Sequence, residues 1–440
     1  MRWRTALASI VVAAAWLTVS MLELTAQNAA QQDWQEEAVV RLKDIYEDGG
    51  FRAETFSGNW LADSSGYTIR QRDPKTDETT VVRYDVESGE RTELDGADKT
   101  DLDRQRNLSP DGNRVIESRG RHLFVRDLES GRRTRLTQDV GDRDARYRQP
   151  TWSPDGESVL FVEIDETKVR QRPVLVPVDP SYPRVENRRF ARVGGKIPSL
   201  RVGVVDSKGK DTLWLPIDPP TEGFYLGQVE WAGNSEEVLV EKFSRFRDRR
   251  EFLIVNVRDP SARRIYEESD PAWSVGSQEK NSGLIWSREG DAFIVISEKD
   301  GWRHAFLHSR DGEELSLLTP GEYDIIDRAF VDQEGGWFYF YSSPENGTQN
   351  NIYRVPLDGS GTLKRITPQD QPGTHDYDFS PDARWAFHSW STFDRPPIVE
   401  LVDLPEHRVV RVLEDNAKLQ EKMKSMITSP TEFFDLNIGD

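Results

Sequence analysis

Thr151-Trp152-Ser153-Pro154-Asp155-Gly156 decides how the rest of the chain is read. An aromatic residue leads into a Ser-Pro-Asp-Gly turn, and an apolar run, Val159 to Val162, follows it. The phrase returns as Asn107-Leu108-Ser109-Pro110-Asp111-Gly112. Weaker copies are Trp286-Ser287-Arg288-Glu289-Gly290 and Phe379-Ser380-Pro381-Asp382. A unit of short strands recurring at roughly 40 to 50 residues marks a β-propeller, in which each blade is one small sheet. Openings of this kind stand at Trp60, Leu108, Trp152, Trp231, Trp286, Phe330 and Phe379, and most intervals lie between 44 and 55 residues. Later strands end in polar turns such as Asp127-Leu128-Glu129-Ser130-Gly131 and Leu357-Asp358-Gly359. Asp-Gly and Ser-Gly supply the positive φ that tight hairpins require. The pattern predicts an all-β chain, a β-propeller of seven to eight four-stranded blades.

The interval from Trp152 to Trp231 is 79 residues and holds a Pro-rich stretch at 173–198. It reads either as a long arm inserted in one blade or as a degenerate eighth unit. Outside the repeats, residues 36–47 carry Val39, Leu42 and Tyr46 at helical spacing. Residues 414–428 place Leu419, Met423, Met426 and Ile427 on one helical face, and Phe433 to Asp440 reads as the start of a strand. Arg2 and Arg4 precede an uncharged run from Ala6 to Leu22, with Leu24-Thr25-Ala26 as a cleavage site, the pattern of a signal peptide.

The formal net charge of −19 argues against a nucleic-acid partner and suits an exported protein that repels its own copies. With no cysteine there is no disulfide, thiolate metal site or cysteine nucleophile. No G-x-S-x-G, H-E-x-x-H, P-loop, G-x-G-x-x-G or EF-hand pattern occurs. His304 and His308 are four residues apart, but Trp302 to Leu307 reads as a strand, so they are not a helical metal pair. No metal or cofactor is expected. Glu163, Asp165 and Glu166 follow the strongest strand, at a position where strand ends and loops line a propeller's faces and tunnel. Acids there suit a cation or a substrate amine.

Several ordered phrases resemble the N-terminal propeller of the dipeptidyl peptidase IV family, in the prolyl oligopeptidase clan of serine peptidases. They are Tyr182-Pro183 with Phe190 to Asp206, Glu298 to His304, Leu318 to Ile325, and Val412 to Leu419. The resemblance implies an eight-bladed propeller capping an α/β-hydrolase domain that carries the catalytic Ser, Asp and His. It also implies a pair of glutamates, in a stretch reading DWVYEEE, that hold the substrate's free amino terminus. The corresponding stretch here, residues 136–149, has no glutamate; Asp142 and Asp144 are the candidate substitutes, and arginines flank them.

The domain expectation is therefore as follows. Residues 1–26 form a signal peptide or an uncleaved anchor, 27–50 an N-terminal segment with a short helix, and 51–413 the propeller. Residues 414–440 form a linker helix and the start of a hydrolase domain that this chain lacks. The expected function is that of a substrate-gating propeller for an exported, periplasmic or secreted, peptidase, not catalytic by itself. The alternative is a stand-alone protein- or peptide-binding module. Expected partners are a peptide substrate, by way of that hydrolase domain, and a second copy through the 163–200 arm.

Overall fold

A computed structural model describes residues 34–72, 79–94, 107–139, 141, 143–177, 181–217, 223–274, 283–424, 429, 431–434 and 436–439. The signal-peptide stretch, Asp142, Met426 and Ile427 lie outside the described residues. Seven consecutive antiparallel sheets make a seven-bladed propeller. Blade 1 comprises Gly58–Trp60, Gly66–Arg72, Thr79–Asp85 and Arg91–Leu94. Blade 2 comprises Arg114–Arg119, His122–Asp127 and Arg133–Arg135, its first strand reduced to the bridge between Leu108 and Val115. Blade 3 comprises Ala145–Trp152, Ser158–Asp165, Ser199–Asp206 and Leu213–Trp214, and blade 4 comprises Phe224–Trp231, Glu237–Ser244, Arg249–Asn256 and Ser261–Ser269. Blade 5 comprises Ile285–Ser287, Ala292–Ser297, His304–Ser309 and Glu314–Leu317, and blade 6 comprises Ile325–Asp332, Trp337–Ser342, Asn351–Pro356 and Lys364–Arg365. Blade 7 comprises Thr374–Phe379, Trp385–Thr392, Arg395–Asp403 and Arg408–Glu414.

The count among the described residues is seven, not the eight that the family resemblance implies. Among the described residues the long interval holds no further blade. It holds a two-stranded hairpin, Gln171–Val176 with Arg184–Arg189, inserted between the second and third strands of blade 3.

All seven sequence markers fall in first strands or, for Leu108, in the bridge that replaces one. The tryptophans among them do more than fill space. Trp152 donates its indole N–H to the Asn107 carbonyl of blade 2 (2.9 Å), and Trp231 donates to Thr151 of blade 3 (3.4 Å). Trp286 donates to the Glu230 carboxylate of blade 4 (2.9 Å), and Trp60 to the Asp378 carbonyl of blade 7 (3.1 Å). In each case the acceptor residue immediately precedes the neighbouring blade's own marker. An indole thus packs its apolar body between sheets while its N–H fixes their offset. Phe330 and Phe379 have no such donor and stack on one another instead, 5.2 Å apart.

The Ser-Pro-Asp turns repeat a hydrogen-bond pattern as well as a sequence. Ser153 Oγ donates to Asp155 (2.6 Å) and accepts from the Ser158 amide (2.9 Å); Ser380 does the same with Asp382 (2.7 Å) and the Trp385 amide (3.0 Å). Blade 5 has Glu289 where the others have aspartate. There Ser287 Oγ is buried without a partner, and Arg288 and Glu289 both have positive φ. Glu289→Asp is expected to restore the bond and stabilise the protein by about 1 kcal/mol, read as a rise in the thermal midpoint. A midpoint at or below that of the parent would refute it.

The described residues cluster into two compact units, one of Ser57–His388 with Val402–Val410, the other of the chain up to Phe56, Ser389–Leu401 and Arg411 onward. In the second, a helix spans 34–46, as the periodicity at 36–47 predicts, and Ala417–Lys424 forms another. Lys422 reaches Asp44 (2.6 Å) and the Gly50 carbonyl (2.9 Å). Asn416 is 5% exposed; its side chain bonds both the N–H and C=O of Glu54 (2.8 and 3.0 Å) and the Pro397 carbonyl (2.9 Å). Of the stretch from Phe433 to Asp440, residues 433, 434 and 436–439 are described, and they have no ladder partner among the described residues. Phe433 instead meets Phe393 edge-on at 5.9 Å.

Candidate functional site

In an up-and-down sheet, turns alternate between two edges. The Ser-Pro-Asp turns join first to second strands. Second-to-third hairpins and the connections between blades lie at the opposite edge. Arg143 and Asp144 enter blade 3 at that second edge, Asp165 and Glu166 leave its second strand there, and the arm springs from it. Glu163 and Asp165 share one face of the strand Ser158–Asp165, being two residues apart. The register sets Arg201 and Tyr147 directly opposite Glu163, one on each neighbouring strand.

That pairing determines the chemistry. Glu163 is only 2% exposed, and its Oε1 accepts from Arg143 Nη2 (2.6 Å) and from Arg201 Nη2 and Nε (2.7 and 3.0 Å). Arg143 Nε also donates to Asp165 (2.9 Å). Burial works to raise the Asp165 carboxyl, but hydrogen bonds from Thr167 and then Arg143 outweigh it and hold the pKa below the usual aspartate value. Glu166 is paired with Arg146, and Asp144 with Arg189 and, at 3.8 Å, Arg121. Arg189 also donates to the Thr167 and Val169 carbonyls (3.1 and 2.6 Å), anchoring the arm to the blade. Arg201 lies over the Trp214 ring at 3.7 Å.

The structure thus brings Glu163, Asp165, Glu166 and Asp144 to one edge of blade 3, each held by arginine. The arginines flanking Asp144 are visible in the sequence, but the roles of Arg189 and Arg201 are not. Arg201 lies 38 residues beyond Glu163, across the arm, and only strand register joins them. The arm exposes Leu175, Tyr182, Val185 and Phe190, with Arg172 over the Phe190 ring at 4.4 Å. Arg245, in the second-to-third hairpin of blade 4, donates to the Gly195 carbonyl at the base of the arm (2.6 Å).

The histidines are placed elsewhere. His304, on a strand as expected, has its Nδ1 2.8 Å from the Asp300 carboxylate; His308 stacks on Phe293. His375 Nδ1 is 2.9 Å from His388 Nε2, and the Tyr377 hydroxyl is 2.8 Å from His407 Nε2, all four residues being buried. Among the described residues no group of three His, Cys, Asp or Glu is arranged to hold a metal ion. No described helix is long and apolar enough to cross a membrane.

A ring of seven small sheets with an arm on blade 3 is a propeller domain, and comparison with known proteins specifies which kind. The pattern of the dipeptidyl peptidase IV (DPP IV) N-terminal region matches residues 67–397. The chain belongs to that family. It is 24% identical over 351 residues to a Coccidioides posadasii protein described as "probable dipeptidyl-aminopeptidase B", covering 72% of this chain and 37% of that protein. It is 24% identical over 381 residues to dipeptidyl peptidase 4 of Arthroderma otae, covering 80% and 48% respectively. The chain therefore spans less than half the length of these curated relatives. The crystal structure of Porphyromonas gingivalis dipeptidyl peptidase 4 shares the fold, with a TM-score of 0.75 at 19% identity, over 87% of this chain and 63% of that one.

Proposed function

We propose that this chain is the substrate-gating propeller region of an exported dipeptidyl peptidase IV-like serine peptidase, and that it does not cleave peptides by itself. The family match over 67–397, on a seven-bladed fold, carries the reading. Acyl transfer needs a nucleophile activated by a base and an oxyanion hole, which in this reading belong to a hydrolase domain. The propeller limits access by size, so that short peptides reach the site and folded proteins do not. Residues 1–26 direct export, as a cleaved signal or a retained anchor. The arm within 163–200, apolar and basic on an acidic chain, is the contact between two copies.

The purified 440-residue chain is expected to release no chromophore from Gly-Pro or Ala-Pro anilides. The product of an open reading frame that adds a G-x-S-x-G domain after codon 440 is expected to release it, and the propeller preparation is expected to sediment as a dimer. Turnover by the 440-residue chain would overturn the non-catalytic reading. A second reading, a stand-alone peptide-binding module, is favoured by one observation, the absence of a glutamate pair at 136–149. A gene that stops at codon 440 with no hydrolase beside it would select that reading.

A further inference from the structure

We infer that the arginine-lined edge of blade 3 selects acidic peptides, its ligand being the carboxylate of an Asp or Glu side chain. This rests on the reading above that the propeller meets peptide substrates, and it names their class.

The edge is layered by charge. Glu163 is enclosed, at 2% side-chain exposure, whereas the two guanidinium groups that clasp it are 40% and 45% exposed. At this clasp what solvent meets is guanidinium, while Asp144, 39% exposed at the same edge, is paired with Arg189. Arg143 and Arg201 donate to Glu163 and Asp165 through Nε and Nη2, which leaves Nη1 of each unused. Guanidinium presents its donors in a rigid fork matched to a carboxylate. Glu163 binds both groups through one oxygen, and Trp214 supports Arg201 from beneath, so the forks are held in place before a ligand arrives. Arg148 pairs in register with Val162 and so lies on the opposite face of the sheet from Glu163; it is exposed and makes no ion pair among the described residues.

The local composition agrees. From Arg143 to Arg201 there are ten arginines and two lysines against eight carboxylates, in a chain whose formal net charge is −19. A positive edge on an acidic body draws anionic ligands to itself and repels them elsewhere. A substrate ammonium is the poorer fit. To reach Glu163 it would have to displace a guanidinium from a buried carboxylate and leave two arginines uncompensated.

The test is binding, measured on the whole 440-residue chain by fluorescence anisotropy. The probes are short labelled peptides of one sequence carrying Glu, Gln or Lys at the same two positions, each with a free and an acetylated amino terminus. The Glu peptide is expected to bind about tenfold tighter than the Gln peptide at low salt, the size of one charge-assisted contact. Acetylation is expected to change nothing, and high salt to erase the difference. Arg148→Gln, which removes an arginine from the opposite face of the same sheet, is expected to leave the Glu preference unchanged. The double variant Arg201→Gln with Glu163→Gln removes a clasp without stranding a buried charge, and is expected to lower the Glu preference while leaving the Gln peptide unaffected. Equal binding of all three peptides, preference for Lys, or loss of binding on acetylation would overturn the inference. The assay requires no turnover. Acidic preference in a chain with no hydrolase partner would keep this inference and remove the peptidase reading; turnover without acidic preference would do the reverse.

Discussion

Replacing Arg250 by methionine is expected to cost about 3–5 kcal/mol of stability, because it strands a charge inside blade 4. Arg250 and Glu241 are 0% and 1% exposed, and Arg250 Nε donates to Glu241 Oε1 at 2.8 Å. The other carboxylate oxygen accepts from the Gln228 amide, also at 2.8 Å. That amide is available because the first strand bulges between Leu226 and Val229, where register with the second strand shifts. A Cβ on Gly227 would sit 2.1 Å from Glu241 Oε2, so only glycine lets the bulge close on the acid. Glu241 is therefore fixed from two strands and has no water to turn to when the arginine is removed. Taking out both charges, Arg250→Met with Glu241→Leu, is expected to cost much less than the sum of the single losses. Urea unfolding midpoints for the two single variants and the double variant decide it. A single-variant loss below about 1 kcal/mol would mean that the pair is not the constraint described.

Acidification is expected to weaken the fold through His375. Burial first, then the neighbouring His388, pushes its pKa from the ordinary histidine value to about 4. The Gln371 carbonyl, at 3.0 Å from Nε2, acts the other way, while His407 and Arg365 add to the lowering. His388 stacks on Tyr377 at 4.6 Å, which closes the cluster. The folded protein thus holds this imidazole neutral at pH values where the unfolded chain protonates it. Between about 6.5 and about 4 the unfolded state binds more protons, so the stabilisation is complete above that window and is lost as pH falls through it. The span corresponds to about 3 kcal/mol from this residue. Burial lowers His308 as well, in the same sense. Unfolding midpoints measured from pH 7 to pH 4 should fall, and His375→Phe should flatten the slope. A slope unchanged by that substitution would assign the acid sensitivity elsewhere.

The fold was legible because its signal is local and repeated. A bulky apolar residue before a polar turn, in three of the seven cases Ser-Pro-Asp, needs no distant partner to be recognised, and all seven markers open blades. The helix at 34–46 was legible for the same reason. What could not be read depends on register. Glu163 is visible as an acid after a strand, but its pairing with Arg201 follows from a ladder reached only after the arm, and its pairing with Arg143 from where the chain enters the blade ahead of Ala145. The histidine cluster draws on both ends of blade 7's sequence, from His375 to His407, and no spacing rule joins them.

Blades 1 and 7 are each built from one uninterrupted length of chain, and no strand is exchanged between them. What joins them includes Trp60 stacked on Phe387 at 4.2 Å, its N–H on Asp378, and the Asp382 amide on Ser64 Oγ at 3.1 Å. In a chain without cysteine, such a clasp has no covalent reinforcement. Parting these side-chain contacts would therefore separate blade 1 from blade 7 while leaving the β-ladders within each intact.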